Sequence, residues 1–363
     1  MNLNVISCFS VSLFLLLFTQ CAENEKTEAE FVMPEEETFV DTTRLFDNQK
    51  QKLSEYGFFT GKLAELNPIE NVLPYKVGSA LFSDYAQKKR FIFLPKNTKI
   101  NLTENDVLEF PEGSILIKNF YYSQDQLNSG KAKIIETRLM VFENKKWIAV
   151  PYVWNDEQTE AYFTLTGTTE NIDLKEHGTF EYASPNQSQC KSCHEYDGEM
   201  IPLGATFAQL NQVIETGNKK INQFGFWAEK GFLSGWNDSF HDLKPSMVDY
   251  TNPIFNLNQR ARAYLDVNCG HCHNPKGPAK NSGLDLSVNC TNDLALGIMK
   301  APVAAGKGSG NLQYDIVPGN ADKSILVYRM NSDQPAIMMP ETGRKLIHKE
   351  GVELIRNWIN AQK

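Results

Sequence analysis

Two runs decide the character of the front half of the chain: Ile134-Ile-Glu-Thr-Arg-Leu-Met-Val-Phe142 and Lys146-Trp-Ile-Ala-Val-Pro-Tyr-Val-Trp154. Both are dense in β-branched and aromatic residues, which suit a pleated, half-buried surface. Working outward, Arg90-Phe-Ile-Phe-Leu94 and Ser114-Ile-Leu-Ile-Lys118 read the same way. Pro111-Glu-Gly113 and Asn128-Ser-Gly130 supply turn chemistry between such runs. Short strands at this spacing predict a β-rich, sandwich-like module over residues 45–185. Only the segment from Leu53 to Leu66 has a helical flavour there.

Further along the pattern changes. Residues 186–250 are loop-rich, with one short helix expected over Ala205–Ile214. Residues 251–363 read as helical. Asn258 is a candidate N-cap, and Ala261, Tyr264 and Leu265 follow at i, i+3, i+4 spacing. Val352, Ile355, Trp358 and Ile359 form the apolar stripe of a terminal helix. The expected fold class is therefore α+β: a β-rich sandwich-like module, a loop-and-helix segment, and an all-α C-terminal domain.

The front end reads as a targeting segment. Residues 5–18 (VISCFSVSLFLLLF) are apolar or small and uncharged, short for a membrane span and long enough for a signal core. The run closes on Phe18-Thr-Gln-Cys21, which resembles a lipoprotein cleavage site with Cys21 as the lipidated first residue. Residues 1–20 would then be removed, and 21–44, acidic and poor in bulky apolar groups, would serve as a tether. The expected location is the cell envelope, periplasmic or surface-exposed, with a lipid anchor in a membrane. The 363 residues carry a net charge of −8 and have a pI near 5.4, and no Lys/Arg tract breaks that balance. Such a surface repels nucleic acid and favours a neutral or basic protein partner.

Seven cysteines are present, four of them in Cys190-Lys-Ser-Cys193-His194 and Cys269-Gly-His-Cys272-His273. Two thiols at this spacing add across the two vinyl groups of one porphyrin edge, and the following His meets the iron as proximal ligand. The expectation is two haem c groups, attached at Cys190/Cys193 and Cys269/Cys272, with His194 and His273 on the irons. A zinc site built from the same four cysteines gives no reason for His at both following positions. A redox dithiol lacks its βαβ setting. His271 reads as the variable residue of the second motif, and Cys290 as a buried free thiol.

Each iron has a sixth position. For the second haem the expected ligand is Met339, in Met338-Met339-Pro340-Glu-Thr-Gly343 ahead of the terminal helix, with Met338 and Met330 as alternatives. A thioether raises the potential and suits electron transfer. For the first haem Met200 is the candidate, with His177, His241, Met247 or an open iron as alternatives.

Several stretches together resemble a family of exported dihaem c-type cytochromes. They are Ala80-Leu-Phe-Ser-Asp-Tyr-Ala86, Lys89-Arg-Phe-Ile92, Glu136-Thr-Arg138, Tyr152-Val-Trp-Asn155, the first CxxCH and the run from Arg260 into His273. The resemblance extends from about residue 45 to the end. It implies a β-rich module ahead of two haem sites and electron transfer to a redox partner protein, and it names no substrate. Two other functions compete. One is a dihaem peroxidase with an open iron. The other is a haem-wired binding module whose aromatic residues Tyr121, Tyr122, Trp147 and Trp154 line a sugar or partner platform.

Overall fold

The long apolar runs pair into one six-stranded antiparallel sheet. Its strands are β1 (Val72–Pro74), β2 (Gln87–Phe93), β3 (Ile115–Tyr122), β4 (Lys133–Glu143), β5 (Lys146–Trp154) and β6 (Ala161–Phe163), each paired with its neighbour in that order. The computed structural model describes residues 46–217, 219–237, 246–303 and 305–363, all within the unit Thr43–Lys363. The expected leader 1–20, Cys21, the tether 21–44 and His241 lie outside the described residues.

Strand alternation sends successive side chains to opposite faces. One face carries Phe91, Ile115, Ile117, Leu139, Val150 and Tyr152 and is covered by Phe46, Leu53, Phe58 and Leu66. The segment Leu53 to Leu66, read as helical, forms two short 3-10 turns and the strand Phe59–Thr60. The other face carries Ile92, Leu116, Met140 and Ala149 and is covered by Cys190, Phe207, Phe224 and Trp227. The expected sandwich is thus corrected. One six-stranded sheet is buried on both faces; irregular chain covers one face, and the segment with the first CxxCH shares the other with a β-hairpin whose Ile172, Leu174 and Tyr182 pack on Phe120 and Tyr122. A small sheet joins Ile100–Leu102 antiparallel to Leu108–Glu109 and parallel to Leu233–Ser234. Thr168–Leu174 and Gly178–Ser184 form a separate hairpin.

The expected all-α cytochrome c-like C-terminal domain is not what forms. Of the described residues, 27% are strand and 23% helix, and that helix is in short pieces. In chain order the longer ones are α1 (Gln187–His194), α2 (Gln223–Glu229), α3 (Leu257–Leu265), α4 (Ile325–Met330) and α5 (Lys349–Asn360). Between α3 and α5 the sequence is punctuated by Pro278, Pro302, Pro318, Pro335 and Pro340 and by Gly283, Gly297, Gly310, Gly319 and Gly343. All five of those glycines have positive φ, so helix propagation stops there. The two ends have a helical period and the middle does not.

Those ends do pack together. Ala261, Tyr264 and Leu265 of α3 share a buried cluster with Val352, Ile355, Trp358 and Ile359 of α5. The Trp358 indole donates to Asn258 Oδ1 at 2.9 Å; Asn258 thus ties the helices together, and Asn256 is the N-cap. At Gly351 a Cβ would fall 2.3 Å from the Tyr264 hydroxyl, so only glycine allows this approach.

Candidate functional site

The first CxxCH is folded by capping and by a hairpin. Asn186 caps α1, accepting from the Gln189 amide at 2.9 Å while the Gln189 side chain accepts from the Asn186 amide at 2.9 Å. One turn of helix brings Cys190, Cys193 and His194 to one side. The chain then reverses through Asp197-Gly198, both at positive φ, pairing Glu195 with Met200. The return brings the Ile201 carbonyl to 2.8 Å from His194 Nδ1. Nδ1–H donates to it, and Nε2 is left with its lone pair.

The second CxxCH arrives at the same chemistry by another route. Asn256 caps α3, which runs into a π turn over Asp266–Gly270 holding Cys269. The amides of Cys272 and His273 both donate to the Cys269 carbonyl. His273 Nδ1 lies 3.0 Å from Ser282 Oγ, whose own proton goes to the Ala279 carbonyl at 2.7 Å. Ser282 therefore accepts, and here too Nε2 is free.

Burial lowers both histidines to about 4. The Ile201 bond opposes the shift at His194, and Arg329 reinforces it at His273. Each is a neutral imidazole at pH 7 with a bare Nε2, the state an iron ligand requires. Burial also pushes the Cys190 thiol up to about 11 and the Cys269 thiol up to about 12.

The two motifs, distant in sequence, meet. Cys193 and Cys272 lie close enough for each thiol to act on the other's ionisation, which, with the His271 ring and Thr342, favours the charged form of Cys193 and raises Cys272. Thr342 Oγ1 lies 3.8 Å from Cys193 Sγ. Nearby, the Asp197 amide donates to the Lys276 carbonyl at 2.9 Å, and Lys276 Nζ sits 3.2 Å from the Asp197 carboxylate.

Thr342 belongs to the loop that carries Met339. Met339 is half-buried, its amide donating to the Arg329 carbonyl at 3.1 Å. The loop is stapled by Arg344, 5% exposed, whose guanidinium donates to the carbonyls of Ser332 (2.8 Å), Met339 (2.9 Å) and Leu346 (3.2 Å), among others. No motif pointed to Arg344, because a lone arginine in a loop has no sequence signature. Of the alternative ligands, Met330 fills the C-terminal core and Met338 is buried. Met200 packs against the cluster on the sheet face. His177 stacks on Tyr85 at 3.8 Å, and Met247 is in the C-terminal core. Cys290 is half-buried, not buried as expected.

A second grouping was not foreseen. Ala80-Leu-Phe-Ser-Asp-Tyr-Ala86 joins the sheet to the C-terminal region. Asp84 accepts from the amides of Lys345 and Leu346 at 2.7 Å each, and Asn268 accepts from the Phe82 amide at 2.8 Å. His348 stacks on Phe82 at 4.1 Å and lies 3.1 Å from the Tyr264 hydroxyl.

The residues fit haem c: cysteine pairs one helical turn apart, each followed by a neutral histidine turned by an Nδ1 hydrogen bond. Among the described residues, no three His, Cys, Asp or Glu side chains converge to hold an ion. Comparison of the chain with protein-family models, with curated proteins and with solved structures finds no match.

Proposed function

We propose that this chain is an exported dihaem c-type cytochrome that passes electrons between a periplasmic or surface partner protein and the respiratory chain. The observation that carries the proposal is the meeting of two CxxCH segments, tied by the Asp197 amide to the Lys276 carbonyl at 2.9 Å, each with its histidine held by an Nδ1 hydrogen bond. Haem, when bound, holds and releases one electron. Cys190, Cys193, Cys269 and Cys272 would attach the two groups, His194 and His273 would be the proximal ligands, and Met339 the distal ligand of the second. The protein's part is to orient the imidazoles, exclude water and fix the Met339 loop through Arg344. A lipid at Cys21 would hold the chain at the membrane. The test is a pyridine haemochrome assay with an optical and EPR redox titration of purified holo-protein. Two haems per chain are expected. One or none, with stoichiometric zinc in their place, would overturn the reading.

One observation supports an enzyme as second reading. Met200 returns along the hairpin that also holds His194; a first iron not reached by Met200, and with no other donor among the described residues, would be open. An open iron admits peroxide. Turnover of peroxide with a reduced donor, together with carbon monoxide binding at the first haem only, would favour a dihaem peroxidase. The aromatic platform has no such support: Tyr122 and Trp154 are buried, and the four aromatics are spread over three separate clusters.

A further inference from the structure

The register of the sheet lines up charges that the sequence keeps far apart. Arg90 of β2 lies opposite Lys118 of β3, and Lys118 opposite Arg138 of β4. One step along, Lys88 lies opposite Phe120 and Phe120 opposite Glu136. These positions share the sheet face that the first CxxCH segment covers, since Ile92, Leu116 and Met140 continue the same alternation. Like charges directly opposite one another on a sheet are destabilising, and three cations in one cross-strand row need a reason.

Protein groups account for part of it. Glu136, fully buried, pairs with Arg138 and accepts from Tyr182. Asp84 lies near Lys88 but is bonded to the amides of Lys345 and Leu346. Lys88 donates to the Leu81 carbonyl at 3.1 Å. The Phe120 ring takes Lys118 at 4.9 Å and Arg138 at 4.2 Å. Neither Arg90 nor Lys118 has a carboxylate within ion-pair distance among the described residues. Four cations thus face two carboxylates. Their side chains are walled by protein yet keep accessible surface, 26% for Arg138, which describes the floor of a recess.

Both ends of the row have an address. Lys88 and Arg90 line a cavity of about 310 Å³ with Tyr75, Lys76, Asp249 and Tyr250, the charges of Lys76 and Asp249 offsetting one another. Toward the other end, Cys190 packs in one cluster with Leu116 and Met140, which flank Lys118 and Arg138 on this face. The uncompensated positive charge therefore runs from a cavity to the first CxxCH.

We infer that Lys88, Arg90, Lys118 and Arg138 form a carboxylate-binding site that takes the propionates of the haem joined to Cys190 and Cys193. The inference rests on the dihaem reading. A haem brings two carboxylates, the number that balances the row, and a guanidinium or ammonium in a recess binds carboxylate more strongly than on an open surface. Among the described residues the cations near the second motif, Arg329, Lys300 and Arg344, do not form such a cross-strand row, so the site distinguishes the two haems.

The test uses holo-protein carrying Lys118→Gln, Arg90→Gln or both, with Lys118→Arg as the charge-conserving control. The same set is made with Cys269→Ser and Cys272→Ser, where only the first haem remains. Both haems should stay attached in the full chain. At fixed ambient potential, the ferric-to-ferrous ratio of the first haem should rise about tenfold per cation removed, the second should not change, and Lys118→Arg should restore the original ratio. If Lys118→Gln does not fold, Lys88→Gln, at the cavity rim, is read in its place. Unchanged ratios with both haems attached would overturn the site. An exogenous anion as the true occupant would also overturn it; then added acetate would shift the first haem in the wild type and not in Lys118→Gln. Absence of haem from the wild type would instead overturn the dihaem reading.

Discussion

The two CxxCH motifs have the same five-residue spacing and opposite surroundings. The first lies on a β-sheet, with Cys190 in the apolar cluster of one face and a cationic row alongside. The second lies in a helix-and-loop region, with Cys269 packed against the C-terminal core and an arginine-stapled loop close by. In each, the imidazole is turned by an Nδ1 hydrogen bond, to a hairpin carbonyl in one case and to a serine in the other. Local chemistry sets the geometry of each motif. What the fold adds is the charge and the packing around it, and those are where two like motifs become unlike.

The largest effect separates the motifs outright. Cys190→Ser with Cys193→Ser should reduce the pyridine haemochrome from two haems per chain to one, and Cys269→Ser with Cys272→Ser should remove the other. Loss of both from either variant would mean that the motifs are not independent. Next in size is the distal ligand. Met339→Ala should abolish the sulfur-to-iron charge-transfer band and let carbon monoxide bind the second haem. Arg344→Gln should weaken the same band with Met339 still present, because the carbonyls it bonds lose their donor. A band unchanged in Met339→Ala would hand the role to Met338 or Met330.

Stability should divide the regions as well. Gly351→Ala places a Cβ against the Tyr264 hydroxyl and should cost about 3 kcal/mol in denaturant unfolding. A loss below the error of the measurement would show that α5 shifts freely.

His348 is smaller in effect and depends on pH. Burial holds it at about 4, against about 6.5 when unfolded. The unfolded chain binds the proton first on acidification. The contribution of a neutral His348 is therefore complete above about pH 6.5 and lost as pH falls toward about 4, on the order of 2 kcal/mol in all. His348→Phe, which keeps the stack on Phe82, should flatten that part of the stability profile. The smallest expected effect is at Lys276. Its pair with Asp197 is exposed, and Lys276→Ala should leave melting unchanged although it bridges the two motifs.

Much of the local structure could be read from residue types. The run Lys146–Trp154 is a strand along its whole length, and the stripe Val352, Ile355, Trp358, Ile359 is the buried face of α5. In both, one period over many residues outweighs any single position. The all-α reading of residues 251–363 failed because helical period at the two ends was extended across a middle rich in proline and positive-φ glycine. Ala205–Ile214 failed on a smaller scale: helix forms only at Phe207–Leu210 before the chain turns into a strand at Val213.

Sequence by itself determined the two CxxCH motifs and the strands and helices that carry long periodic patterns, because these depend on neighbours a few residues away. Tertiary structure alone decided that the two CxxCH segments meet at Asp197 and Lys276, that Arg344 gathers the carbonyls of the Met339 loop, and that Arg90, Lys118 and Arg138 stand in one row. Those contacts depend on sheet register and on which segment covers which face. A one-residue slip in β3 would send Lys118 to the opposite face, and no local pattern around Lys118 records which side it takes.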